Sequence, residues 1–471
     1  MEIVDKLVGL FKNAYMNGAG VDRDLYQLIA DKDISRAQQL FQDRDIDVSE
    51  AIKEYNPETH EIMHRPDKRR KNKQDYKTQK LPRSWQQYIN EVALFFLLSK
   101  PVEWTLLNSE DESLSEAFDE FKQFMEDIRF NTYMRKSKRL AGSETECAKL
   151  YRIYRDDETN EPKVNIIQLA KSLGHTIRPL FDQYGNLIAF GYGYTLKEST
   201  GTVDHFDIET PDKLYYCKKN KIGWDVEEKP NPTGKINVIY YRQQKEWSGA
   251  EIRINRDEYV DSKAADTNEY FADPKMLITA DIVGKLSSPE TVGDVLQANG
   301  ADSRAEYITP PTASEMKTSE KQILKESILM DTFTPDFSYE NMKGMGVLSG
   351  EALRRALILG YIKRENQKEI YDLLVDREKN LILTIMAKIT HIRLKSQIEK
   401  MKIKHSFSEP FDDDVSSKWA AIGRAYSDGI VSLDTAVRMM SIANPNEEIE
   451  KIKAEKAEQN EDNMFPRAGL D

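Results

Sequence analysis

Apolar residues recur at helical spacing over one very long stretch, from Gly350 to Arg393, which contains no proline. A single helix of that length would measure about 65 Å. Its middle, residues 363–369, is wholly polar, and Gly360 precedes this part as a candidate kink site. We therefore interpret the stretch as a rod whose two ends pack in different layers of an assembly. The alternative is a long buried helix inside one globular protein.

Between residues 144 and 243 the pattern changes to short runs of β-branched and aromatic residues, separated by turn sequences such as DQYGN and PNPTG. These runs predict a mixed or antiparallel sheet. Residues 1–138 show helical patterns instead, for example at 4–15 and at 84–138, the latter with a break at Pro101. The predicted fold class is α+β. The strand aromatics are typical of a core, and a surface for single-stranded nucleic acid is the second interpretation.

Two further predicted helices are polar on almost every side. The first covers residues 254–271, and the second opens with a capping box and covers residues 312–332. A small α/β piece lies between them, and a glycine-containing loop at 334–349 leads into the long helix. Helices with so little apolar surface need partners beyond their own core. Beyond Lys395 the sequence predicts a strand, three short helices and, from residue 459, a disordered tail.

Composition limits the classes of function. The formal net charge is -12, which argues against broad nonspecific clamping of nucleic acid but fits a channel in which DNA slides without sticking. Two cysteines make neither a disulfide framework nor a metal-ligand set, so we expect an intracellular origin. The start of the chain lacks a basic targeting region, and the longest apolar run, Val92 to Leu98, is far too short to span a membrane.

One short motif suggests catalysis. Residues His60 to His64 read HEIMH and match the zinc-hydrolase pattern H-E-x-x-H, in which two histidines on one helical face bind the metal and Glu61 acts as general base. Pro57 and Pro66 flank the motif closely, and no apolar periodicity buries a helix here. We interpret the match as a coincidence and expect no metal, no cofactor and no enzymatic activity. No P-loop and no G-x-S-x-G motif occurs.

The motif opens a basic arm that continues to Arg83. Such a run is usually a solvated loop, and the sharper interpretation is an arm that touches a neighbouring subunit or nucleic-acid phosphates. The sequence leaves these alternatives open.

The order of elements resembles the portal proteins of tailed bacteriophages, particularly the long-tailed type. NVIYYRQQKEW followed by RDEYVDSKAADTNEYFADP is similar to the last strand of the family's wing and its first stem helix. TPDFSYENMKGMGVLSGEALRRAL is similar to the tunnel loop and the start of the long helix, with the family's S-G-x-A-L at Ser349, Gly350, Ala352 and Leu353. SFSEPFDDD and the later GIVSLDTAVRMM resemble the end of the family's chain.

The resemblance implies a portal fold with this organisation along the chain: a wing at 1–250 (helices at 1–138, β-rich part at 144–243), stem helix 1 at 251–273, a clip at 274–311, stem helix 2 at 312–333, a tunnel loop at 334–349, a long helix at 350–395, a strand returning to the wing at 396–411, and a helical crown with a disordered tail at 412–471. The clip here is short and divergent, so the family's clip contacts cannot be carried over.

The resemblance also implies a ring of subunits, usually twelve, at one vertex of the capsid. Double-stranded DNA would pass through its central tunnel during packaging and ejection. The implied partners are the terminase large subunit, the major capsid or scaffolding protein and a head-completion adaptor, with no membrane. The protein would be part of the virion and would assemble in the host cytoplasm.

Two sets of residues are candidates for contact with DNA. In the tunnel loop they are Tyr339, Asn341, Met342, Lys343 and Met345. On stem helix 2, Lys317, Lys321 and Lys325 are spaced four residues apart and form one stripe, which faces either the tunnel or water. Beside the portal hypothesis stand a zinc hydrolase built on His60, Glu61 and His64, and a monomeric helical adaptor with a basic arm.

Overall fold

A computed structural model describes residues 21–67, 77–198, 201–272, 276–282, 298–307, 314–345, 350–411, 415–440 and 445–464. The chain divides into two compact units. The first combines residues 1–336 with 359–408, and the second combines 337–358 with 409–471. The mixture of helices with antiparallel sheets confirms the predicted α+β class.

The described helices, in chain order, are α1 (Val21–Ala30), α2 (Ile34–Leu40), α3 (Asp45–Tyr55), α4 (Trp85–Leu98), α5 (Ser115–Asp127), α6 (Phe130–Glu144), α7 (Glu251–Ala272), α8 (Ser314–Asp331), α9 (Tyr339–Met345), α10 (Gly350–Ala356), α11 (Ile358–Ile385), α12 (Lys395–Ile398), α13 (Val415–Ser427), α14 (Leu433–Met439) and α15 (Pro445–Met464). The strands are β1 (Val102–Leu106), β2 (Glu146–Arg155), β3 (Pro162–Leu169), β4 (Thr176–Phe181), β5 (Leu187–Glu198), β6 (Gly201–Glu209), β7 (Lys213–Lys219), β8 (Trp224–Pro230), β9 (Val238–Arg242), β10 (Met276–Ile282), β11 (Ala298–Tyr307) and β12 (Ile403–Phe407).

The predicted strand-rich part is present as two antiparallel sheets. One has five strands in the order β4-β5-β6-β7-β8, and the other has three in the order β3-β2-β9. A third pairing was not predicted: β1 pairs with β12, so that Val102 lies opposite Phe407. We had assigned residues 84–138 to helices, and the five-residue β1 after Pro101 is too short to show a clear alternation of apolar and polar positions.

The first unit is layered. Helices α1 and α2 cover one face of the five-stranded sheet, whose other face packs on the three-stranded sheet. Strand β2 shows how one sequence serves two layers, because successive side chains point to opposite faces. Cys147 and Tyr151 belong to the large helical core with α4, α5, α6 and α11, whereas Ala148 and Leu150 belong to the core between the sheets.

The long helix is interrupted. Helix α10 ends at Ala356, a turn at Leu357 follows, and α11 gives way to a π-helical turn at Met386–Thr390. Helix α11 alone, with 28 residues, measures about 42 Å. The predicted uninterrupted rod from 350 to 393 was therefore too long.

The polar middle of α11 is buried rather than placed between two layers. Lys363, Arg364 and Gln367 are each less than a tenth exposed. Lys363 and Gln367 bind the carboxylate of Glu246 at 3.1 and 2.8 Å, and Arg364 donates to the carbonyl of Phe407 at 2.7 Å. Our interpretation of this segment as a gap in the core was wrong, because buried ions satisfied by partners interrupt the apolar pattern without interrupting the packing.

A second buried ion pair anchors the same helix further along. Glu378 of α11 pairs with Lys149 of β2, and both side chains are fully buried. The hydroxyls of Tyr151 and Tyr241 donate to the same carboxylate. Burial lowers the pKa of Lys149 and raises the pKa of both tyrosines well above the ordinary value. The helix is thus fixed to the sheet by a closed polar cluster.

Gly360 is a site of close packing, and the interruption of the long helix falls at Leu357 instead. A Cβ built at Gly360 would lie 2.3 to 2.5 Å from the ring atoms of Phe96 on α4. Only glycine allows the two helices to approach this closely.

The second unit contains α9, α10, α13, α14 and α15. Ser432 caps α14 by accepting the N–H of Thr435, as the predicted helix start requires. Helix α15 continues to Met464, so the first six residues of the predicted disordered tail are helical. In the predicted clip, β10 and β11 form an antiparallel pair, while residues 283–297 lie outside the described residues, as does the predicted helix at 4–15.

Candidate functional site

Helices α7 and α8 correspond to the two polar helices predicted from the sequence, and they run antiparallel. Polar contacts join them along their length: Arg253 with Asp331, Arg256 with Glu320 at 2.7 Å, Asp261 with Lys321, and Thr267 with Lys317 at 3.3 Å. Most of these groups are partly exposed, so each contact adds little stability by itself. Buried Ile254 and Ile328 supply the apolar part of the junction, next to Trp247.

The lysine stripe of α8 is engaged within the chain. Lys317 and Lys321 contact α7, and Lys325 pairs with Asp336 at 2.6 Å. The structure therefore brings the three lysines together on the flank that meets the rest of the first unit, an arrangement that neither of our two interpretations contained. Their contact with DNA stays a prediction.

An extended segment at residues 77–84, which we call the strap, lies along α7. Its backbone N–H groups donate to α7 side chains in alternation: Gln79 to Asp266 at 2.8 Å, Leu81 to Ser262 at 3.0 Å and Arg83 to Glu258 at 2.8 Å. Two residues of extended chain rise about 6.6 Å and four residues of helix about 6.0 Å, so the two repeats stay in register over three contacts. We call this set the ladder.

The ladder accounts for much of the polarity of α7. Asp257, Glu258, Ser262 and Asp266 are each at most a twentieth exposed, and their partners lie in the same chain. We did not predict these residues as a set. The signal was available, since Glu258, Ser262 and Asp266 are acceptors spaced four residues apart, but nothing in the sequence indicates which segment would donate to them.

One flank of α8 remains apolar and bare. Met316, Ile323 and Met330 are 78, 59 and 63% exposed and lie seven residues apart, which places them in one line. This line, which we call the bare stripe, lies about 140° around the helix from the lysines that contact α7. An open groove of about 540 Å³ runs beside Met316 and Ile323.

The predicted tunnel-loop residues lie in the second unit. Residues 339–345 form α9, so the expected irregular loop contains about two helical turns. Tyr339, Asn341, Met342 and Lys343 are exposed on it, Tyr339 by 82%. The structure does not describe the side chain of Met345.

The start of the long helix matches the sequence in position. Helix α10 begins at Gly350 and contains Ala352 and Leu353, both half-buried, and Ser349 lies outside the described residues.

The HEIMH motif does not form a metal-binding helix. Residues 61–64 make a 3₁₀ turn, with His64 exposed and His60 buried. Both ring nitrogens of His60 are already occupied, Nδ1 by Glu258 and Nε2 by the carbonyl of Glu54. Across the described ranges, no cluster of three or more His, Cys, Asp or Glu side chains is arranged to hold a metal ion. The two histidines are therefore not brought to one site.

The chain matches the phage portal protein family, SPP1 Gp6-like, over residues 40–462. It belongs to that family. The match covers the sheets, the α7–α8 pair, the long helix and nearly all of the last helices. It also confirms the resemblance stated above, and the family is structural rather than enzymatic. No individually curated protein matches the chain. In the described part of the chain, no helix has a stretch long and apolar enough to cross a membrane.

Proposed function

We propose that this phage portal protein assembles into a closed ring, of twelve copies as is usual in its family, at one vertex of the capsid. Double-stranded DNA enters through the ring during packaging and leaves through it on ejection. A terminase motor docks on the ring, a head-completion adaptor also binds it, and the capsid or scaffolding protein surrounds it. The protein is a part of the virion and assembles in the host cytoplasm. The observation that carries this proposal is the family match over residues 40–462.

The bare stripe supports ring formation. A line of three exposed apolar side chains on an otherwise polar helix is unfavourable in water. Covering it with another protein surface lowers the free energy. In a cyclic ring each copy presents one flank to the next, so a stripe on one side of the α7–α8 pair has a natural cover in the neighbouring copy.

The charge of the chain supports a sliding contact with DNA. A net charge of -12 per copy repels phosphates when it is repeated around a ring, so a duplex is not trapped on the wall. The exposed side chains of α9, among them Tyr339, Met342 and Lys343, are suited to brief contacts with a passing duplex. Each of the three lysines of α8 has an intrachain partner: Lys317 and Lys321 join α8 to α7, and Lys325 joins it to Asp336.

Electron microscopy of the purified chain tests ring formation. We expect rings with a central hole and cyclic symmetry. Ile323→Glu places a charge in the bare stripe and should reduce the ring fraction at least tenfold while the monomer stays folded. Ile222→Glu, at a fully exposed apolar residue in the turn between β7 and β8, is the matched control and should leave rings intact. Monodisperse monomers of the unaltered chain at every concentration and salt would overturn the ring.

The role of α9 is tested separately from assembly. Deleting residues 339–345 and joining the ends with a short glycine linker should leave rings intact and reduce packaged DNA strongly in a packaging assay. If rings no longer form, α9 is a structural element and the proposed DNA contact is wrong.

A further inference from the structure

His60 is held in a way that only one protonation state satisfies. Its Nδ1 lies 2.6 Å from Oε1 of Glu258, and its Nε2 lies 2.7 Å from the carbonyl oxygen of Glu54. Both partners are acceptors. A neutral imidazole carries one N–H and one lone pair, so it can satisfy only one of them, whereas the imidazolium donates to both. The side chain is 3% exposed, and water therefore does not replace a missing contact easily.

The acceptors themselves are committed to this arrangement. Oε1 of Glu258 accepts from His60 and from the backbone N–H of Arg83, and its Oε2 is buried without a hydrogen bond. The carboxylate of Glu54 binds Lys245 at 2.6 Å and the indole of Trp247 at 2.7 Å, so only its carbonyl faces the ring. The positive charge of His60 thus balances a buried carboxylate for which the described residues offer no other cation within ion-pair distance.

We propose that His60 is a proton-dependent clasp that fastens residues 56–67, which follow α3, onto α7. When the ring is protonated, it ties α3 to the end of the ladder at Glu258. When the ring loses its proton, one nitrogen presents a lone pair to an oxygen, the contact becomes repulsive, and the end of the strap at Arg83 is released from α7.

The charged groups around the ring favour the protonated form of His60. Glu258 faces it from α7, and the carboxylate of Glu54 lies nearby at the end of α3. On the strap, Arg83 directs its guanidinium away from the ring, to Asp261 at 2.6 Å and Asp257 at 3.4 Å. Glu61 and His64, beside it in the 3₁₀ turn, are exposed to water.

Burial lowers the pKa of His60, but the hydrogen bond and charge of Glu258, together with Glu54, outweigh it, and the net pKa is raised above 6.5. The stability of the clasp is therefore complete below pH 6.5 and is lost as the pH rises through the raised pKa.

The clasp is tested on the full chain, whether or not it forms rings, by hydrogen exchange of the strap amides between pH 6 and 9 after correction for the intrinsic exchange rate. The amides of Gln79, Leu81 and Arg83 report the ladder. Above pH 6.5 we expect their opening to increase by up to about tenfold per pH unit, until the clasped ring itself is neutral. No such trend is expected for amides within the five-stranded sheet.

Two variants separate the clasp from a merely structural histidine. His60→Gln cannot titrate and should show strap exchange that does not depend on pH. His64→Gln, in the same motif but exposed, is the matched control and should keep the trend of the unaltered chain. If His60→Gln does not fold, the pH dependence of strap exchange in the unaltered chain and in His64→Gln still tests the proposal. A flat pH profile in the unaltered chain, or an unchanged profile in His60→Gln, would overturn the proposal.

Discussion

Glu209 should make the stability of the first unit depend on pH. It lies on β6 in the interior, 3% exposed, and its Oε2 has no hydrogen-bond partner. Burial, helped by the charge of nearby Asp207, raises the pKa of Glu209 to about 7, although the charge of Arg152 and hydrogen bonds with Asn237 oppose this rise. Arg152 reaches this place from β2. Its guanidinium lies 3.8 Å from the carboxylate of Asp207 and donates to the hydroxyls of Tyr192 and Tyr216. The carboxylate is therefore poorly compensated when it ionises.

The magnitude follows from the difference between the folded and unfolded chain. An unfolded glutamate titrates near 4.5, and one pKa unit corresponds to about 1.4 kcal/mol, so a folded pKa of about 7 is worth about 3 kcal/mol. Because the pKa is raised in the folded chain, protonation of Glu209 stabilises the fold at low pH. The folded chain holds the proton between pH 4.5 and 7 where the unfolded chain has lost it. The contribution is full below pH 4.5 and disappears as the pH rises through 7.

Glu209→Gln mimics the protonated side chain and does not titrate. We expect the variant and the unaltered chain to have similar free energies of unfolding near pH 4, and the variant to be more stable by up to about 3 kcal/mol at pH 8. Urea unfolding followed by circular dichroism at several pH values measures the difference, and subtraction removes the other titrating groups. Glu227→Gln, at an exposed carboxylate on β8, should change nothing. A difference between Glu209→Gln and the unaltered chain that does not vary with pH would refute the reasoning.

Two further predictions concern the packing of α11. Lys149→Met leaves Glu378 as a buried charge without its cation and should lower the free energy of unfolding by about 3–5 kcal/mol, whereas the double variant Lys149→Met/Glu378→Leu should recover most of the loss; urea unfolding tests both, and equal losses in the single and double variants would contradict the account. Gly360→Ala forces a methyl group into the ring of Phe96 and should cost about 1–3 kcal/mol, with part of the loss regained in combination with Phe96→Leu. Thermal unfolding measures this, and a variant as stable as the unaltered chain would show that the two helices can move apart.

The sequence predicted the parts of the fold that depend on local periodicity. The strand region at 144–243, the polar helices α7 and α8, the helix at Ser432 and the fold class all follow from spacing, turn residues and caps, which are properties of neighbouring residues. The motif order also led to the family. These features are local, or are ordered sets of local features, and one sequence is enough to show them.

The contacts between distant segments could not be predicted in the same way. The strap lies on α7 through side chains more than 170 residues away, and β1 pairs with a strand 300 residues later. Buried ion pairs add a second difficulty. The hydrophobic pattern predicts solvent exposure for Lys363, Gln367 and Glu378. It does not show that their partners, Glu246 and Lys149, are buried in the core beside them.

The same comparison changes which observation argues for assembly. From the sequence, the polarity of α7 and of the middle of the long helix suggested that only neighbouring copies could make these helices stable. In the structure both polar surfaces have partners in their own chain, so their polarity is not an argument that neighbouring copies are needed. The bare stripe of Met316, Ile323 and Met330 is a different case, because the described part of the chain leaves it uncovered and its apolar side chains gain nothing from water. A helix that satisfies its charges internally and still exposes a straight apolar line has a reason to meet another chain, and that line, rather than the charge on the helices, is where ring formation should be tested first.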